Sequence, residues 1–234
     1  MMVELSYFLL SGALLTLMVI GYRKAGVKAM ISNTEINKGS VLMLGLATIW
    51  FVYLFVVEKS GLILDKSLPP KLPLLVVLPF AIFTIIFYRK NKTNKALEAM
   101  PKSWLVYLQS FRILVEIIIL YTFKKGIMPE SASFEGYNFD IIMGISAPFV
   151  AYFIFKGDVK NILLAKVWNV LGIVMILIVA TIIVTSYYQP QLWGSETPLV
   201  ADEFFSYPYL LLPAFLAPMG IFFHVVSLLQ LRKV

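Results

Sequence analysis

Seven apolar stretches divide the sequence, near 5–22, 41–57, 73–88, 104–123, 139–156, 162–186 and 207–231. A helix rises about 1.5 Å per residue and the hydrocarbon core of a bilayer is about 30 Å thick, so roughly 20 apolar residues span it. The short alternating segments of a membrane β-barrel are absent from the sequence. Hydrophobic residues make up 60% of the 234 positions and charged residues 14%, against about 45–50% and about 25% in an ordinary soluble domain. The expected fold is therefore an all-α membrane protein with seven transmembrane helices. It forms a single polytopic membrane domain over 1–234, with the lipid bilayer as its surroundings.

The formal net charge is +7, which by itself could suggest nucleic acid. The placement of the basic residues argues for topology instead. Arg23, Lys24, Lys28 and Lys38 follow the first stretch, and Arg89, Lys90, Lys92, Lys95 and Lys102 follow the third. Lys156 and Lys160 follow the fifth, and Arg232 and Lys233 close the chain. The intervening loops hold only Lys59, Lys66, Lys71, Lys124 and Lys125. Basic residues accumulate on the cytoplasmic side of membrane proteins. This places the N-terminus outside and the C-terminus in the cytoplasm, in a bacterial inner membrane, with no nucleic-acid partner. The basic run YRK (22–24) follows the first apolar stretch rather than preceding it, the reverse of a secretory signal, so the first stretch is expected to stay as a helix.

Cysteine is absent and His224 is the single histidine. Thiolate chemistry and a zinc site of several histidines are thereby excluded. No nucleophile elbow or paired-acid motif is visible, so no catalytic residue, metal or cofactor is expected, and an enzyme is the less favoured class.

The unusual residues lie in the last four stretches. Gln109, Arg112 and Glu116 are three and four apart, which puts them on one face of a helix. A charge in the bilayer core costs about 2.5–3.5 kcal/mol on insertion scales, so such groups turn toward the bundle interior. Arg112 and Glu116 are expected to pair. A guanidinium carries five N–H donors, so Arg112 needs further partners. Counting about 1.5 Å per residue from the cytoplasmic side, Arg112 and Asn169 lie roughly 12 Å deep and His224 roughly 10 Å deep. Small residues that let helices approach closely accompany them: Gly144 and Ala147, Gly172, and Ala217 with Gly220. Asn138 or Asp140 could cap the fifth helix, and a ligand role is the alternative for Asp140. Pro79, Pro148, Pro213 and Pro218 each free a carbonyl that a neighbour must satisfy.

Taken together, Gln109-x-x-Arg112-x-x-x-Glu116, the loop EGYNFD (135–140) leading into GISAP (144–148), WN (168–169) and His224 resemble a family of uncharacterised bacterial integral membrane proteins, over roughly 101–230. The resemblance implies that these positions belong together and carries no activity with it. The expected function is binding or transport of a small anionic or protonatable solute, or an ion. Arg112, Glu116, Gln109, Asn169, His224 and Asp140 would form the binding site. The alternative is a non-catalytic sensor or assembly factor in which the same residues are a structural polar knot.

Overall fold

The computed structural model describes residues 2–155 and 159–233. Lys156, counted above among the basic loop residues, lies outside them, as does the end of the fifth apolar stretch. All regular structure among the described residues is helical. α1 is Met2–Lys28, α2 Asn33–Lys59, α3 Pro73–Lys90, α4 Lys95–Ala99 and α5 Lys102–Leu108. α6 is Phe111–Lys124, α7 Asp140–Phe153, α8 Ile162–Tyr188 and α9 Leu212–Gln230. Side-chain caps start several of them: Ser32 accepts from the Glu35 amide, Asn94 from Leu97 and Asn161 from Leu164.

Among the described residues, six helical spans are long and apolar enough to cross a membrane: α1, α2, α3, α5 with α6, α8 and α9. The expected seventh, α7, has only 14 residues. That is about 21 Å, short of a bilayer core. The reason lies in the loop before it, which is folded into the bundle. Met128, Ala132, Ser133 and Asn138 are all buried. From Tyr137 onward the side chains alternate, with Tyr137 and Phe139 outward and Asn138 and Asp140 inward. Asn138 bonds Glu116 while Asp140 bonds Arg112, so this segment descends alongside α6, and α7 begins well inside the bundle. Irregular backbone at such depth is tolerated where protein covers it.

α9 is the central pillar, packed on α3, α5 and α8. Its buried face carries Phe222, Phe223, Val226 and Leu229. The outer faces of α1, α2 and α8 expose Leu9, Val41, Ile49 and Leu163 among other large apolar residues, as a lipid-facing surface does. At one end of the bundle, Glu4 accepts from Lys125 and from the Tyr209 hydroxyl, which ties α1 to the end of α6 and to the approach to α9. Lys125 lies just past α6, and its bond to Glu4 holds its pKa above the usual lysine range.

Two of the long spans are interrupted in the same way. α3 opens with a π-helical turn over Pro73–Val77 and α9 with one over Leu212–Leu216, and the two turns pack against each other. Pro79 and Pro218 lack an N–H, so the carbonyls four residues earlier, of Leu75 and Ala214, lose their helical donors. Both find donors on α2. Tyr53 Oη donates to the Leu75 oxygen at 2.8 Å and Trp50 Nε1 to the Ala214 oxygen at 2.9 Å. The two rings stack with centroids 5.4 Å apart. α2 runs on to Lys59 and holds the Trp50 indole against α9. Trp50→Phe keeps the ring and deletes the donor. It is expected to lower stability by about 1–3 kcal/mol, measured by reversible unfolding in mild detergent, because a buried carbonyl is left unpaired.

Candidate functional site

Arg112 stands at the start of α6, just after a break in the fourth apolar stretch. The sequence predicts one continuous helix over 104–123, but a turn at Gln109–Ser110 separates α5 from α6. Backbone bonds tighten there to the residue three back: Gln109 N–H to Val106, Ser110 to Tyr107, Arg112 to Gln109 and Ile113 to Ser110. The Gln109 side chain does not join Arg112. It turns to α9 and donates from Nε2 to the Gly220 carbonyl at 3.0 Å.

The expected Arg112–Glu116 ion pair is replaced by another. Arg112 Nε donates to Asp140 Oδ2 at 2.7 Å and Nη2 contacts Asp140 Oδ1, a two-point pair. A planar guanidinium fork fits a carboxylate in this way. The side chain reaches Asp140 because α7 starts deep in the bundle, and because Gly144 lets α7 close on α6. A Cβ at Gly144 would sit 2.9 Å from the Ile113 backbone nitrogen. Arg112 also donates from Nη2 to the Gly172 carbonyl at 3.1 Å, and Nη1 lies 2.9 Å from His224 Nε2.

That last contact fixes the histidine. Arginine can only donate, so His224 Nε2 accepts, and the ring proton sits on Nδ1. Nδ1 then donates to Asn169 Oδ1 at 3.0 Å, and Asn169 Nδ2 donates to the Ala165 carbonyl at 2.8 Å. The chain of bonds runs from Asp140 through Arg112, His224 and Asn169 to the backbone of α8. Trp168 packs edge-on against the His224 ring, centroids 5.2 Å apart, with its indole N–H donating to Ser146 Oγ on α7. A Cβ on Gly172 would run into the imidazole. Gly172→Ala is accordingly expected to cost about 1–3 kcal/mol through overpacking, checked by the same unfolding measurement.

Glu116 occupies a different position. It is 1% exposed and accepts at Oε2 from Asn138 Nδ2 at 2.7 Å. Among the described residues no cation pairs with it. Asn138 also donates to the Ala132 carbonyl at 3.0 Å and accepts the Asp140 N–H at Oδ1, 2.9 Å away. The N-cap position expected of Asn138 or Asp140 falls to Phe139, which has no capping side chain; Asn138 instead takes the first helical N–H in an Asx turn, and the Asp140 carboxylate is committed to Arg112. A cavity of about 80 Å³ lies beside these groups, lined by Arg112, Glu116 and Asp140 and otherwise by apolar side chains. The two π-helical turns border it through Val77 and Leu212. π-Turns occur frequently at functional sites.

The structure thus gathers Arg112, Asp140, Asn169 and His224 into one network, with Gln109 bonded to the α9 backbone beside it and Glu116 on the shared cavity. Sequence reasoning missed the Gly172 carbonyl, Ser146 and the full part played by Asn138. The alternation of Tyr137, Asn138, Phe139 and Asp140 was the available signal for the last, since it places Asn138 and Asp140 on one side. Among the described residues no group of three or more histidine, aspartate or glutamate side chains could hold a metal.

Among the described residues, all-helical structure with six apolar spans and a buried charged network is the class this geometry defines. Residues 69–232, more than half of the chain, match the family described as "Domain of unknown function (DUF8737)", and the chain belongs to that family. The match starts before the 101–230 region that carried the resemblance, and so takes in α3 and its π-helical turn. Neither a curated protein nor a solved structure matches the chain.

Proposed function

We propose that this is a multi-pass membrane protein whose Glu116 site binds a small protonatable solute, or the proton itself, for transfer or sensing. The observation that supports the reading is a charge count. Arg112 and Asp140 neutralise each other, and His224 accepts a bond at Nε2 as a neutral ring. Glu116 adds one negative charge with no ion-pair partner among the described residues. A lone carboxylate buried among apolar helices is costly, and relief comes from a proton or a cation. An anionic solute would compound the cost, and Arg112, the candidate partner for one, already donates to Asp140, His224 and Gly172.

The topology that goes with this reading has the N-terminus outside and the C-terminus in the cytoplasm of a bacterial inner membrane, with α7 as a seventh, shorter segment. The basic loops support it. So does the network: Arg112 is ten residues past the start of α5, Asn169 seven past the start of α8, and His224 six before the end of α9. Groups at similar depth from those three ends meet, which fits three ends on one side with α7 as the segment between α6 and α8.

The test is infrared difference spectroscopy on the protein in lipid nanodiscs across the physiological pH range. A protonated-carboxyl band that titrates in the wild type and is missing from Glu116→Gln is expected. A spectrum identical in the two proteins at every pH would sink the reading and leave the network as a structural knot.

A further inference from the structure

We infer that the Glu116 cavity binds a small alkylammonium ion, its charged head on the carboxylate and its alkyl groups on the apolar wall. This deepens the reading of Glu116 as the exchanging charge, and rests on it. The cavity volume of about 80 Å³ is several times the roughly 10–15 Å³ that one water needs. Beyond the three charged side chains its wall is Val115, Ile119, Ile176, Val179 and similar groups from α6, α8 and α9. A hard inorganic cation wants about six oxygen ligands, and the side chains here offer two carboxylates, one of them held by Arg112. An ammonium with short alkyl arms needs fewer. It donates to one carboxylate and buries the rest of its surface against apolar atoms.

The route in is lateral. Leu177, Ala180 and Val184 of α8 border the cavity on one side, and Leu177 is 48% exposed on the outer face of the bundle. Pro213, Ala217 and Ile221 of α9, four residues apart, are the part-exposed positions that border it as well. A ligand with both an apolar surface and a dissociable proton can dissolve in lipid as the neutral amine, pass this mouth and meet Glu116. The proton balance is simple: a neutral amine and a protonated Glu116 become an ammonium–carboxylate pair, with no bond made beyond N–H.

The experiment uses the full chain in nanodiscs, with n-propylammonium chloride as the probe and sodium chloride at equal concentration as the comparison. A saturable rise in melting temperature is expected with propylammonium alone. Its apparent affinity should fall about tenfold or more in Glu116→Gln and in Ala180→Phe, which fills the mouth without touching the charges. Ala180→Phe carries the test if Glu116→Gln does not fold. An equal rise with sodium, a rise that both variants retain, or no saturable rise overturns the inference. Because the Glu116 carboxyl band is read separately, a titrating band with no propylammonium effect overturns this inference alone. Absence of both overturns the functional reading with it.

Discussion

Asp140→Ala is expected to lower the stability of the protein by about 3–5 kcal/mol, the usual cost of stranding one member of a buried ion pair. Arg112 is 2% exposed and Asp140 5%, so both charges are buried in the bundle. Removing the carboxylate takes away two of the guanidinium's contacts and leaves a full positive charge beside His224 and the Gly172 carbonyl. The effect should be nearly independent of salt, because a buried pair is poorly screened. The double variant Arg112→Met/Asp140→Leu removes both charges. It is expected to recover most of the loss and to remain about 1–3 kcal/mol below wild type, because His224 Nε2 and the Gly172 carbonyl lose their donor. Equilibrium unfolding of the three proteins in mixed micelles gives both numbers. An Asp140→Ala protein as stable as wild type would show that Arg112 has water or another anion to turn to.

Much of this arrangement was legible in the sequence, and the limits have physical causes. The long apolar runs declare membrane-length helices because a bilayer imposes a length that composition alone can reveal. The depth argument brought Arg112, Asn169 and His224 together, since residues counted from helix ends on one side arrive at one level. The i, i+4 spacing points Arg112 to Glu116, and on α6 that spacing is intact, but it cannot show the carboxylate that another segment brings closer. The deep start of α7 and the close approach at Gly144 bring Asp140 to Arg112, and both are tertiary effects. α7 read as a full span because hydropathy does not distinguish a helix from the folded loop that continues its apolar run. The two π-helical turns left only prolines as a trace, and prolines occur in unremarkable membrane helices too. Their capping by Trp50 and Tyr53 depends on where α2 packs, which no local pattern encodes.

Asn138→Ala is the second large effect, expected at about 3 kcal/mol. One side chain makes three bonds: to the Glu116 carboxylate, to the Ala132 carbonyl and from the Asp140 N–H. The first is charge-assisted and worth about 1.5–3 kcal/mol, and each neutral bond adds about 0.5–1.5 kcal/mol. Part of the sum is recovered where the loop relaxes or water enters. The loss has a direction as well as a size. Asn138 holds the descending loop against α6 at Glu116, and through the Asp140 amide it sets where α7 begins. Without it the loop loosens first, so amide exchange over 128–140 should speed up more than exchange over α9. Asn138→Asp separates the two contributions: its carboxylate can still accept from the Asp140 N–H, but it faces Glu116 with a like charge. Because the two carboxylates would face each other, Asn138→Asp is expected to be tolerated better when Glu116→Gln is also present, and a double-mutant cycle in unfolding free energy measures that coupling at a pH where both are ionised. A cycle with no coupling at high pH would mean that Glu116 stays uncharged beside the new carboxylate or does not face it.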